Sequence, residues 1–148
     1  MFRKLTDEVY ASPQITVEDV AAAAEQGIAL IINNRPEDES ADQTPGDAIA
    51  DAARQAGLGY LAVPVTHAGF SQWQVDAMAE ALAAAPGPVL AYCRSGTRST
   101  LLWALAQAKR GGDPEAIADA AAGAGYDIAG VRPLVDMLSA THGNTSGT

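Results

Sequence analysis

The chain has one cysteine, two histidines, few basic residues and no apolar run of membrane-spanning length. Each shortage excludes something. A lone cysteine cannot form an internal disulfide, so the fold does not depend on oxidation. Cys93, His67 and His142 are far apart in sequence and match no zinc-ligand spacing, so no metal site is indicated. Neither a P-loop nor a dinucleotide glycine fingerprint is present, so no nucleotide cofactor is implied. Nine basic residues against 18 acidic ones leave a formal charge of −9, which repels nucleic acid and anionic membranes; neither is an expected partner. No segment approaches the ~20 apolar residues of a membrane span. The opening MFRKLTDEV has two basic residues with no apolar stretch behind them, so no signal peptide is expected and the cytoplasm is the default location.

What is present reads as one domain over residues 1–140, followed by a polar tail at 141–148. Thr16 caps a helix that Gly27 ends, with Asp19 in its first turn. Residues 28–33, IALIIN, form a continuous apolar run suited to a strand buried on both faces. A polar loop follows, then a helix opening at Thr44 and Pro45 and stopping at Gly57. Residues 60–65, YLAVPV, read as a second core strand, with Pro64 at its exposed or terminal end. Ser71 and Gln74 have capping-box spacing, and Val75, Met78, Ala79 and Leu82 give the helix behind them one apolar face. VLAYC is a short strand ending at Cys93, and STLLWALAQAKR is a helix stopped by Gly111 and Gly112. Asp113 and Pro114 open another helix, and VRPLVDMLSA is the last. Strands alternating with helices imply an α/β fold with a mostly parallel central sheet. Trp73 and Trp103 are expected to be core or groove-lining.

The chemistry centres on AYCRSGTRST, residues 91–100. Cys93 sits where a buried strand ends and a helix begins, the ligand position of an open α/β sheet. A short loop closing onto a helix turns backbone N–H groups inward as an anion nest, here formed by Arg94, Ser95, Gly96, Thr97 and Ser99. Gly96 lets the backbone bend. The helix dipole and two guanidiniums favour thiolate over thiol, making Cys93 the nucleophile. Arg98 can hold two oxygens of an oxyanion in its planar fork. Ser99 or Thr100 could donate a hydroxyl hydrogen bond to the sulfur. A lone cysteine is often an inert core residue, but strand end, glycine and two arginines together outweigh that reading. Arg35 follows a strand end, which puts it on the same sheet edge as Cys93, as an auxiliary positive contact.

AYCRSGTRS, with the upstream NNRPEDE and VPVTHAGFS, resembles the bacterial beta-lactamase-hydrolase-like phosphatase-like domain family, from about EVYASPQ to VRPLVDML. The resemblance implies a fold like that of cysteine-dependent tyrosine and dual-specificity phosphatases. It also implies an association with sulfide metabolism, some members acting as sulfurtransferases. Cys93 and Arg98 form C-x4-R, the loop length of rhodaneses, where tyrosine phosphatases have C-x5-R. VPVTHAGFS lacks the aspartate that phosphatases of this fold use as general acid. Sulfur transfer from thiosulfate expels sulfite, which needs no proton. The leading expectation is therefore a sulfurtransferase acting through a Cys93 persulfide, with thiosulfate or a low-molecular-weight persulfide as donor and a second thiol as acceptor. The alternative is a cysteine-dependent phosphatase of protein tyrosine or dual-specificity type acting through a phosphocysteine, with His67, Asp38 or Asp42 replacing the acid; Asp76 reads as a solvated helix charge. A third reading is a non-catalytic anion or sulfide sensor.

Overall fold

Apolar β-branched runs and well-capped helices alternate along the chain and set the architecture; the computed structural model describes residues 2–143. In chain order the elements are β1 (Arg3–Thr6), β2 (Val9–Ser12), α1 (Val17–Glu25), β3 (Leu30–Asn33), α2 (Gly46–Gln55), β4 (Gly59–Ala62), α3 (Gln72–Ala84), β5 (Val89–Tyr92), α4 (Thr97–Lys109), α5 (Pro114–Gly123) and α6 (Arg132–Gly143), with a 3-10 turn at Ala129–Val131 before the last. The five strands form one sheet in the order β1-β2-β5-β3-β4. β1 and β2 are antiparallel, and the other pairs are parallel. The domain is thus a single α/β unit built on a mostly parallel sheet.

β5 is the axis of this arrangement. All four of its residues are buried, and Val89 aligns with Val9 on one side and Leu30 on the other. Alternate side chains feed opposite faces, as the two-residue strand period requires. Val89 and Ala91 join the core under α3–α6, while Leu90 and Tyr92 join the smaller core under α1 and α2. α4 lies against the first face, with Leu102, Trp103, Ala104, Leu105 and Ala106 all buried. A helix apolar around most of its circumference belongs in an interior, and this one runs directly from the cysteine loop.

Caps account for most helix starts. Thr16 and Asp19 exchange side-chain bonds at α1, the Asp19 N–H donating to Thr16 Oγ1 and the Thr16 N–H to Asp19 Oδ2. At α3 the Ser71 N–H donates to Gln74 Oε1 at 2.7 Å, and Asp113 accepts from the Ala116 N–H at α5. α2 differs from expectation: Thr44 does not cap it. Pro45 holds the N-cap position without a side-chain bond, and the Gly46 N–H donates to Glu37 Oε1 at 2.8 Å. The cap is borrowed from the preceding loop.

Four expectations need correction. The β1–β2 hairpin is absent from the sequence reading because its strands have four residues each and β1 carries exposed Arg3 and Lys4 on an edge. The strand expected over 60–65 stops at Ala62, lies at the sheet edge and is largely exposed; Val63 and Val65 turn inward after it. Trp103 is 1% exposed, but Trp73 is 56% exposed and outside the core. Finally, α6 continues through Thr141 and His142, so the helix runs into the segment expected as tail, whose residues 144–148 lie outside those described. No helix among the described residues is long and apolar enough to cross a membrane.

The two tryptophans give a direct test of this packing. Trp103→Ala should cost about 3–5 kcal/mol of unfolding free energy, and Trp73→Ala within about 0.5 kcal/mol, read from urea denaturation midpoints at constant slope.

Candidate active site

Cys93 follows β5 directly and is fully buried. The chain then turns through Gly96, whose φ of +93° is left-handed, and enters α4 at Thr97. The Gly96 N–H donates to Cys93 Sγ at 3.1 Å, so the sulfur is seated under the start of the helix, where the dipole favours negative charge. Two independent constraints fix glycine here. An L side chain is strained at this φ, and a Cβ would lie 2.1 Å from the Tyr126 hydroxyl oxygen.

The loop is pinned from outside as well. The Cys93 N–H donates to the Ser12 carbonyl (3.3 Å), and the Gln14 N–H donates to the Arg94 carbonyl (3.2 Å). From the far side, the Tyr126 hydroxyl donates to the Ser95 carbonyl at 3.1 Å. Two of these bonds use loop carbonyls and one uses the Cys93 amide, while the Thr97 N–H reaches Ser95 Oγ at 3.4 Å. No acceptor among the described residues takes the Arg94 or Ser95 N–H, and the first-turn amides of a helix have no intrahelical carbonyl to bond. Arg94, Ser95 and Thr97 are exposed. The Thr100 hydroxyl donates to the Gly96 carbonyl at 2.8 Å instead of the sulfur. Ser99 Oγ is buried and unpaired, which leaves it as the hydroxyl available to the site.

Arg98 is oriented by an acceptor that the sequence reading did not single out. Its Nη1 donates to Glu39 Oε2 (2.7 Å) and to the Val65 carbonyl (2.8 Å), and its Nη2 donates to Glu39 Oε1 (2.8 Å). A guanidinium has five N–H donors in one plane. Glu39 takes the fork formed by the two terminal nitrogens, and Val65 takes the remaining Nη1 hydrogen. The Nε hydrogen and the second Nη2 hydrogen stay parallel, with no oxygen acceptor among the described residues and the Cys93 sulfur nearby, a second fork of the width that suits two oxygens of an oxyanion. Pairing with Glu39, and then the nearby Cys93, raises the Arg98 pKa above its ordinary value.

Arg35 holds Glu39 from the other side. It is 4% exposed; its Nε donates to Glu39 Oε1 (2.8 Å), Nη1 to Gln14 Oε1 (2.9 Å) and Nη2 to Ser40 Oγ (3.1 Å). The structure therefore puts Arg35 on the expected sheet edge with Glu39 between it and Arg98. The hydrogen bond from Arg98 leads the effects that depress the Glu39 pKa from 4.5 to about 2.

The remaining sequence candidates lie apart from this cluster. His67 is exposed on the tight turn between Thr66 and Gly69, two residues past the carbonyl that Arg98 grips. Asp38 is exposed at a φ of +62°, and Asp42 accepts from the Ser40 hydroxyl at 2.6 Å. Asp76 is paired with Lys109 across α3 and α4, more than a solvated charge. Two site residues escaped the sequence reading. Glu39 was signalled by its i,i+4 spacing from Arg35, between the aspartates considered instead. Tyr126 arrives by a tertiary contact with no local signature. No group of three or more His, Cys, Asp or Glu side chains among the described residues could hold a metal ion.

Comparison with known proteins fits this geometry. Residues 1–110 match the family described as beta-lactamase hydrolase-like protein, phosphatase-like domain. The beta-lactamase hydrolase-like protein of Xylella fastidiosa is 36% identical over 103 residues, 70% of this chain and 24% of that protein. The chain thus spans about a quarter of the length of the curated relatives it matches. Among solved structures, a candidate phosphatase from Neisseria meningitidis is 36% identical with a TM-score of 0.80, covering 93% of this chain and 97% of that one. TpbA of P. aeruginosa, solved with phosphotyrosine, shares the fold at 20% identity and a TM-score of 0.63, over 94% and 88% of the two chains.

These findings overturn the sulfurtransferase expectation, give no support to a link with sulfide metabolism, and favour the phosphatase alternative. The expectation rested on one fewer residue between Cys93 and Arg98. That difference carries little weight physically, because the first-turn amides of α4 add donors to those of the loop. Four spacer residues still present a cradle several N–H groups deep. The frame around the loop is more telling than its length, and on that frame the chain belongs to the beta-lactamase hydrolase-like, phosphatase-like domain family.

Proposed function

We propose that this protein is a cysteine-dependent phosphatase that forms a phosphocysteine at Cys93. The observation carrying the proposal is the pairing of a buried thiol under a helix start with a neighbouring arginine whose second fork meets no oxygen acceptor among the described residues. Cys93 Sγ attacks phosphorus, and the Arg94 and Ser95 amides with the first turn of α4 receive the phosphoryl oxygens. Arg98 holds two of those oxygens through Nε and Nη2. Ser99 offers its hydroxyl to the sulfur as charge returns to it, and Gly96 keeps the loop in the one conformation that aims these donors together. Arg94 adds an exposed positive charge at the entrance. Donors preorganised for charge in the transition state are the largest usual source of rate enhancement.

Glu39 acts through Arg98 and is a positioning residue. It has two opposing effects: it orients the fork, and its charge repels the anion that the fork receives. Both are present at neutral pH, because its depressed pKa keeps it ionised. The pair also stabilises the fold. A carboxyl depressed from 4.5 to about 2 contributes stability present above 4.5 and lost as pH falls through about 2.

Three outcomes follow. Cys93→Ser should abolish para-nitrophenyl phosphate hydrolysis while the native protein is inhibited by vanadate, and Arg98→Lys should lose about 10²–10³-fold in kcat. Oxyanion binding without Cys93-dependent turnover would support the sensor reading in place of catalysis. Glu39→Gln should lower kcat about tenfold, roughly 1.4 kcal/mol, yet tighten inhibition by phosphate as the repelling charge disappears. In urea melts, the native protein should weaken between pH 4.5 and about 2, and Glu39→Gln should lack that component.

A further inference from the structure

Cleavage of a phosphate monoester places an electron pair on the departing oxygen, and a basic oxygen departs quickly only if it is protonated. Such a proton must come from the groups around Cys93. Glu39 cannot supply one: both its oxygens accept from guanidiniums, and it is ionised well below neutral pH. Glu37 is occupied as acceptor of the Gly46 N–H, and Asp42 as acceptor of the Ser40 hydroxyl, while Asp38 is exposed on the same loop with no hydrogen bond to a site residue among the described residues. Asp76 is paired with Lys109. Tyr126 already donates its hydroxyl proton to the Ser95 carbonyl, and burial raises its pKa. The wall beside Arg98 is residues 62–71, AVPVTHAGFS, held by the Val65 carbonyl, and it contains no carboxylate. His67 is its one titratable side chain, exposed on a turn and without a hydrogen-bond partner among the described residues. A site that cradles the phosphoryl group from several sides makes no matching provision for the atom that leaves.

From this we infer that the site takes phosphate groups whose departing oxygen is already a weak base, namely acyl phosphates and phosphoanhydrides, in preference to alkyl phosphates and phosphotyrosine. The inference rests on the phosphatase reading and narrows its substrate class. In the first step the Cys93 thiolate forms the S–P bond as the P–O bond breaks, and the departing group leaves as a carboxylate or phosphate anion carrying the electron pair. In the second step water attacks phosphorus and the S–P bond breaks back to thiolate. One water proton stays on the product oxygen and the other passes to a second phosphoryl oxygen, giving dihydrogen phosphate. No base beside the sulfur is needed in the first step, and the second has none to accelerate it. Phosphocysteine should therefore accumulate with good leaving groups.

The test is kcat/KM of the intact protein for 2,4-dinitrophenyl, 4-nitrophenyl and phenyl phosphate, with acetyl phosphate, phosphotyrosine and glycerol phosphate alongside, each corrected with Cys93→Ser. The expected result is a steep fall of about 10²–10⁴-fold from dinitrophenyl to phenyl phosphate, the size a general acid ordinarily supplies. Acetyl phosphate should lie near the fast end and phosphotyrosine near the slow end. Rapid mixing with the dinitrophenyl ester should show a burst of phenolate stoichiometric with enzyme. A shallow dependence with efficient phosphotyrosine hydrolysis overturns the inference and leaves the phosphatase reading intact. So does a dependence that steepens in His67→Ala, because it identifies His67 as the donor. No Cys93-dependent release from dinitrophenyl or acetyl phosphate overturns the phosphatase reading itself.

Discussion

The Arg98–Glu39 pair is the contact on which the rest of the site depends. It joins residues 59 positions apart and ties together the loop after β3, the segment after β4 and the first turn of α4. Both side chains are mostly buried, at 19% and 17% exposed. Burying such a pair costs desolvation that one Coulomb contact does not recover, so it persists only where further hydrogen bonds satisfy both ions. Here they do: Arg35 supplies a second donor to Glu39, and Val65 supplies a carbonyl to Arg98. Removing either partner would strand a charge. The same network that stabilises the loop also decides which edge of the guanidinium faces the sulfur.

The cysteine is fixed by backbone more than by side chains. β5 is buried on both faces and cannot slip, because a shift of one residue would exchange its two cores. α4 is buried along most of its length from Ser99 onward, so its position against the sheet is set by packing. Between these two elements only Gly96 completes the reversal, and the Tyr126 hydroxyl occupies the space a larger residue would need. Several loop amides remain free because the pinning bonds from Ser12, Gln14 and Tyr126 engage the loop mainly through its carbonyls. An anion nest results from where the partners are placed, without any charged group of its own beyond the two arginines.

What was legible in the sequence follows from how local the signal is. The runs at β3 and β5, the caps at Thr16 and Asp113, and the glycine stops at Gly27 and Gly111 are all readable within a few residues. The hairpin at the start is not, since its strands have four residues each and β1 is polar at an edge; β4 reads as a strand, but its early end and its place at the sheet edge do not show in the sequence. Cys93, Gly96 and Arg98 stood out because chemistry and spacing coincide in six residues. Glu39 and Tyr126 reach the loop through the fold, so no window around the cysteine contains them. The choice between sulfur and phosphate follows the same division: loop length is a local count and points to sulfur, whereas the frame that favours phosphate is specified only by the whole chain.

Tyr126 has a consequence for how the site comes into being. The match to the family ends at residue 110, yet this tyrosine, from the connection after α5, closes over the loop between β5 and α4. The segment after residue 110, about a quarter of the chain, therefore contributes to the shape of the cradle. A nascent or partly folded chain carries the thiol without the geometry to use it. The pocket around Cys93 is thus built by two parts of the chain far apart in sequence, and a chain cut before Tyr126 would keep the thiol and lose the contact that shapes its loop.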